Sequence, residues 1–320
     1  MHSTSRIFVA GHRGLVGSAV VRNLQARGYE NILCRSRTEL DLRDQAAVRS
    51  FFEHERPEYV FLAAAKVGGI LANATYPAQF VYDNLAIELN VIDSAYRFGA
   101  KKLEFLASSC VYPKFAAQPI QEESLLTGEL ESTNRAYAIA KIAGITMCQS
   151  YRKEYGFAAI SLMPTNLYGP GDNFDLTSSH VLPALIRKFH DAKVAGAPKV
   201  VVWGSGSPKR EFLHVDDLAD AAVHLMLNYD DSEIINVGAG EDLSIRELAE
   251  LVKTITGYGG QIVFDSTKPD GTPRKLLDVS NLKALGWRPR IALSEGIAQT
   301  YRWYLDQPGT ASAEAAGTPR

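Results

Sequence analysis

The chain has 320 residues, 46% hydrophobic and 22% charged, the composition of an ordinary folded protein with room for one enlarged domain or two. With 34 basic against 36 acidic residues, a formal charge of -2 excludes a global bias toward nucleic acid or an anionic membrane, so any anion site has to be local. No run approaches the ~18 consecutive apolar residues of a membrane span, and Cys34, Cys110 and Cys148 lack both CxxC spacing and histidines at metal-ligand intervals, which predicts a reduced, cytoplasmic chain without a metal.

In chain order, Met1 to Arg6 runs straight into an apolar stretch without the long apolar region of a signal peptide. Short apolar runs at 7–10, 31–34, 59–63, 103–107 and 159–163 predict strands, and helical patterns at 15–27, 45–55, 84–98 and 134–155 fall between them. That alternation predicts a parallel sheet covered on both faces, a doubly wound α/β fold of the Rossmann type. After Pro164 the pattern loosens. Residues 166–171 read as turn chemistry, followed by a helix near 182–190, a strand at 200–203 and a helix at 216–227. A further helix at 244–256 opens on Ser244 with Glu247 three residues later, a capping box. The expected organisation is a cofactor-binding domain over 1–163 plus about 212–237, a smaller mixed α/β substrate lobe over about 164–211 and 238–306, and a disordered tail over 307–320.

Gly11-His12-Arg13-Gly14-Leu15-Val16-Gly17 follows the first strand and opens the first helix, the context a dinucleotide fingerprint requires. Gly11 permits the tight turn, Gly14 lets backbone approach a pyrophosphate at the helix N-terminus, and Gly17 lets the helix pack on the strand. An NAD site places an acid after the second strand for the ribose 2′-hydroxyl; here the sequence is Cys34-Arg35-Ser36-Arg37. A carboxylate would repel a 2′-phosphate and Arg offers it a charge-assisted fork, so the predicted cofactor is NADP(H), clamped by Arg13 and Arg37, with Asp41 and Leu42 bordering the adenine.

Tyr137 and Lys141 lie four residues apart on a predicted helix, hence on one face. A phenol beside a fixed positive charge is expected to have its pKa drawn toward working pH. The same spacing also arises on helices as a packing residue and a solvated charge, and its chemical meaning depends on its company. That company is Ser108, which follows the fourth predicted strand at the carboxyl edge of the sheet and can hold a substrate oxygen beside the Tyr137 hydroxyl.

The glycine pattern, this serine and the YxxxK pair together resemble the extended short-chain dehydrogenase/reductase family over nearly the whole chain. The strings Ala63-Ala64-Ala65-Lys66-Val67-Gly68-Gly69-Ile70, Ser108 to Pro113, Met163 to Pro170 and Lys268 to Lys275 narrow the likeness to members that epimerise and reduce GDP-linked 4-keto-6-deoxy sugars with NADPH. The resemblance implies a reductive triad of Ser108, Tyr137 and Lys141, and an epimerisation pair in which Cys110 is the base and His180 the acid. It implies cofactor contacts along the Gly11 to Gly17 turn, including His12, Leu15 and Val16, and at Lys141, Pro164, Asn166, Leu167 and His180. For the nucleotide sugar it implies Lys188, Trp203, Arg210 and Asp270, and for assembly a homodimer through the helices at 84–98 and 134–155. Read without the family, Cys110 is a small buried hydrophobe, Lys188 a surface charge and Trp203 a core residue. Family dehydratases carry an acidic pair after the active-site hydroxyl; this chain has Ser109-Cys110, which disfavours dehydration. A tightly held NAD, as in 4-epimerases, is disfavoured by the missing acid after strand two. A non-catalytic NADP sensor would not need Ser108, Tyr137 and Lys141 together.

Overall fold

The computed structural model describes residues 1–268, 270–308 and 310. Most of the tail expected over 307–320 therefore lies outside the described residues.

The first half alternates strand and helix: β1 (Ile7–Ala10), α1 (Leu15–Ala26), β2 (Ile32–Leu33), α2 (Gln45–Glu55), β3 (Tyr59–Leu62), α3 (Ile70–Thr75), α4 (Pro77–Arg97), β4 (Lys102–Leu106), α5 (Arg135–Tyr155) and β5 (Ala159–Pro164). Then come β6 (Asn166–Tyr168), α6 (Val181–Val194), β7 (Lys199–Trp203), β8 (Lys209–Arg210), β9 (Phe212–His214), α7 (Val215–Asn228) and β10 (Ile235–Val237). The chain ends with β11 (Leu243–Ser244), α8 (Ile245–Thr256), β12 (Gln261–Asp265), β13 (Arg274–Lys275), α9 (Ser280–Ala284) and α10 (Leu293–Leu305).

The central sheet has six strands in the order β10-β5-β4-β3-β1-β2, every pair parallel. The strands are buried on both faces and alternate between two cores. Phe8, Val60, Leu62, Leu103 and Phe105 meet α2, α4 and α5 through Phe52, Val91, Ile92 and Ile145. Val9, Phe61, Leu106 and Leu162 meet α1 and α7 through Val20, Leu24, Leu218 and Leu225. This is the doubly wound α/β sheet predicted from the alternation. A third apolar cluster joins α6, α8 and α10 to β7 through Leu185, Phe189, Val252, Ile297 and Val202. Ser244 and Glu247 form the expected capping box at the start of α8.

Two local readings change. The helix expected from Asn84 starts at Pro77, where the fixed ring torsion suits the first helical position; Phe80 is buried on that added turn. Asn166 to Tyr168, read as turn, pair with β9, and the turn itself is confined to Gly169 to Gly171, where both glycines have positive φ.

Candidate active site

All strands of the main sheet run one way, so β1, β4 and β5 deliver Gly11, Ser108 and Pro164 to the same edge. The chain leaves β1 for β2 on one side and crosses back to β3 on the other, which opens a crevice beyond the ends of β1 and β3. Gly11 turns there with φ +89, and a Cβ on it would come 2.8 Å from the Ala64 backbone after β3. A side chain on Gly17 would strike the Gly11 carbonyl, so this glycine lets α1 close on its own entry turn rather than on the strand. Gly14 caps α1 in extended conformation, and its absent Cβ would meet nothing nearer than the Gly11 carbonyl oxygen at 3.4 Å. The first turn of α1 holds no acid, leaving its free N–H groups and dipole available to an anion. His12 Nδ1 is buried with no hydrogen-bond partner, and burial and Arg13 keep its ring below its usual pKa, hence neutral.

After β2, Arg35 is taken by Glu55 and lies over the Phe51 ring. Arg37 stays 72% exposed, 4.0 Å from Asp41. Arg43 holds Asp41 from 2.7 Å and, through that hydrogen bond, brings its carboxyl down to about 2. Leu42 offers its carbonyl to Asn90 Nδ2 at 3.0 Å. The backbone cradle, the orphaned His12 nitrogen and the exposed guanidinium groups of Arg13 and Arg37 fit a dinucleotide carrying a 2′-phosphate.

Ser108 ends the segment after β4, and its hydroxyl accepts the Cys110 N–H at 3.2 Å, capping a short turn over Ser109–Val111. Tyr137 and Lys141 project from α5 toward it. Lys141 is 1% exposed, donates to the Leu106 carbonyl at 3.0 Å, and pairs with Glu88 of α4 at 3.2 Å. Its ammonium sits 4.6 Å from the Phe105 ring centre and 5.9 Å from that of Tyr137. A side chain on Gly144 would come 2.5 Å from the Phe105 ring and 2.9 Å from Glu88 Oε2, so that glycine makes room for both. Burial raises Glu88 to about 7 against the opposing pull of Lys141.

This pair changes the reading of Tyr137. Lys141 is paired with Glu88, and the phenol is pushed up by burial, then by the charges of Cys110 and Glu88, while a hydrogen bond with Ser108 opposes the rise. Tyr137 is therefore held protonated, with its ring edge-on to Phe80. For Cys110, burial works upward but is outweighed by Lys275, which donates to the sulfur at 3.3 Å, and by Ser108. His180 occupies the N-cap position of α6 without a side-chain capping hydrogen bond, and its pKa is lowered by desolvation and then by Lys275. Pro164 is buried at the end of β5. Asn166 Nδ2 donates to the Glu211 carbonyl at 2.8 Å, and Leu167 packs against the α1/α7 core.

A second group lies on the smaller half. Trp203 is 57% exposed, against the core position its type suggests, and the ammonium groups of Lys188 and Lys268 each lie 5.5 Å from its ring centre. Lys188 also donates to the Val201 carbonyl at 3.1 Å. Asp270 accepts from Ser205 N at 2.7 Å and Ser205 Oγ at 2.9 Å, fixing the loop after Trp203. Arg210 stands in register with Lys275 across β8 and β13. Buried Glu211 accepts from Gly240 N at 2.7 Å and Leu277 N at 3.0 Å, tying both strands down.

The fold thus gathers Ser108, Cys110, Tyr137 and Lys141, and Lys275 links Cys110 and His180 electrostatically. Lys188, Trp203 and Asp270 form a separate face, with Arg210 between. Sequence reasoning missed Glu88, Glu211, Lys268 and Lys275 as site residues. Glu88 had a signal: it is an acid on the core face of α4, and such an acid requires an opposite charge.

Residues 7–238 match the NAD dependent epimerase/dehydratase family. The chain belongs to that family. It is 63% identical to GDP-L-fucose synthase 1 of Arabidopsis thaliana, over 94% of this chain and 94% of that protein. It is 55% identical to the GDP-L-fucose synthase of Escherichia coli K12, covering 95% of this chain and 98% of that one. Among solved structures it resembles the GDP-mannoheptose C4 reductase of Campylobacter jejuni with NADP bound, at TM-score 0.89 and 43% identity, over 95% of this chain and 99% of the other. Members of the family from a plant and two bacteria thus align along almost their entire length.

Proposed function

We propose that the chain converts GDP-4-keto-6-deoxy-D-mannose to GDP-L-fucose, by inversion at C3 and C5 followed by NADPH-dependent reduction of the C4 ketone. The observation that carries this reading is the short turn after β4, which sets a thiol two residues from the hydroxyl that can polarise the ketone. A C4 carbonyl acidifies the hydrogens on C3 and C5, and hydrogen bonds from Ser108 and Tyr137 stabilise the oxyanion formed when either is removed. Cys110 takes the proton from one face and His180 returns one to the other. Reduction at C4 would draw its hydride from bound NADPH. Tyr137, held protonated by its surroundings, then gives its proton to O4, while Lys141, paired with Glu88, holds the ribose side of the site.

Arg13 and Arg37 would hold the 2′-phosphate, with Asp41 and Leu42 bordering the adenine and Pro164, Asn166 and Leu167 as further cofactor contacts. Lys188, Trp203, Arg210 and Asp270 take the GDP moiety. Plain C4 reduction is the competing reading, since the Campylobacter jejuni relative is a C4 reductase. Mass spectrometry of product formed in heavy water separates the two: deuterium at C3 and C5 of a reduced sugar is expected, and reduction without exchange would leave a ketoreductase.

We further propose a division into a cofactor domain of 1–163 plus about 212–237 and a substrate lobe of about 164–211 and 238–306; the return of β10 to the main sheet and the separate third core support it. We also propose a homodimer through α4 and α5, whose outer faces expose Tyr82, Leu89, Ile139 and Tyr155. Sedimentation of Leu89→Glu tests that assembly, with a monomer expected. The free thiols at Cys34, Cys110 and Cys148 suit the reducing cytoplasm. Among the described residues no helix is long and apolar enough to cross a membrane.

A further inference from the structure

Lys275 reaches the catalytic turn from the far side of the cleft. It sits on β13, held in register with Arg210, and Leu277 just beyond it is anchored by the buried Glu211 carboxylate at 3.0 Å. From that fixed strand its ammonium donates to Cys110 Sγ at 3.3 Å, a distance at which a cation stabilises a thiolate strongly. It also acts on His180 as a like charge. One side chain therefore touches the charge state of both groups assigned to proton transfer at carbon.

We propose that Lys275 is a positioning residue for epimerisation, holding Cys110 as the thiolate base. This rests on the assignment of Cys110 and His180 made above. A neutral thiol is a poor base for a carbon acid, whereas a thiolate takes the proton and becomes the thiol as the enolate forms. The proton that His180 delivers to the opposite face completes the inversion, with no net change in protons on the sugar. When Cys110 has become neutral, Lys275 loses its counter-charge, so the ammonium favours return of the proton to solvent and regeneration of the base.

The other charged or titratable groups that act on Cys110 do not replace this one. Arg210 is a second cation in its field, Glu131 opposes ionisation, and the phenol of Tyr137 is held neutral. Among these groups, Lys275 is the cation whose hydrogen bond to the sulfur is observed.

The test reads the thiol directly. The full-length protein is alkylated with iodoacetamide across pH 5.5 to 10, and each cysteine is followed by peptide mass spectrometry. In this reaction the thiolate forms the S–C bond and iodide leaves. Cys34 and Cys148 are internal references, since burial raises the former and pushes the latter up to about 12. Cys110 is expected to titrate below Cys34 in the wild type. Lys275→Met is expected to slow Cys110 alkylation about tenfold at pH 7, one pKa unit being one factor of ten, and Lys275→Arg to restore most of it. The acidic limb of the pH profile of deuterium exchange into substrate should move upward in Lys275→Met, because the thiolate loses its cation.

A Cys110 profile unchanged in Lys275→Met overturns the proposal. So does a wild-type Cys110 that titrates no lower than Cys34, a result independent of whether the variant folds. Normal exchange at C3 and C5 in Cys110→Ser would instead remove Cys110 as the base, and leave the alkylation result to stand or fall separately.

Discussion

The two ends of the cleft are built from different materials. At the cofactor end the recognition surface is backbone: Gly11, Gly14 and Gly17 shape one turn within seven consecutive residues, and two of the three positions leave no space for a side chain. At the end proposed for the substrate it is side chains brought from distant parts of the chain, with Lys188 from α6, Trp203 from β7, Arg210 from β8, and Lys268 and Asp270 from the loop after β12. A backbone cradle suits a cofactor whose pyrophosphate is always the same, and a side-chain surface can be changed one group at a time to suit another sugar nucleotide. The turn at Ser108 to Val111 lies where the two meet, and Lys275 is one of the contacts that the second half makes with it.

The sharpest test of that meeting point is Tyr137→Phe, which is expected to lower turnover on the order of 10²- to 10⁴-fold, the usual worth of a positioned proton donor, with NADPH binding kept. Near-normal turnover would move the proton donor elsewhere. Next in size is Glu88→Gln. Glu88 is 2% exposed and raised from 4.5 to about 7, so the folded protein holds its proton where the unfolded chain has lost it. Stability is therefore expected to fall as pH rises from about 4.5 to about 7, by up to about 3 kcal/mol from this group. Urea unfolding of both proteins across that range should show a flatter dependence in the variant; equal slopes would place Glu88 at an ordinary pKa.

At the cofactor end, Arg37→Ala should weaken NADPH about 10- to 100-fold, the range for one charge-assisted hydrogen bond. NADH binding should be unchanged, and an equal loss for both dinucleotides would take Arg37 off the 2′-phosphate. The smallest effect belongs to the substrate end. Trp203→Ala removes one flat surface flanked by two cations, worth about 0.5 to 2 kcal/mol, and is expected to raise KM for the GDP sugar several-fold without altering NADPH affinity.

The same division governs what could be read from sequence. The Gly11 to Gly17 turn, the parallel strands and the Tyr137/Lys141 helix are local patterns, with every needed residue within one helical or strand segment. The smaller half resisted because its pairings are short and distant: β8 and β13 are only two residues each, too brief for any periodicity to register. Lys275 and Cys110 are 165 positions apart, and only the folded chain puts them in contact. The pKa of Tyr137 failed for a related reason. Lys141 was visible four residues along the helix, but its neutralising partner Glu88 comes from α4, across a gap that Gly144 leaves open.

Trp203 carries one more consequence. The sequence has three tryptophans; Trp287 is buried against Asp220, Trp303 stacks on Phe174, and Trp203 alone of them faces open solvent, over half exposed. The indole emission of this protein is therefore expected to contain a red-shifted component from the face proposed to bind the nucleotide, an optical probe already wired into the molecule. Titration with GDP, which cannot turn over, should quench that component while the emission of the two sheltered rings stays constant.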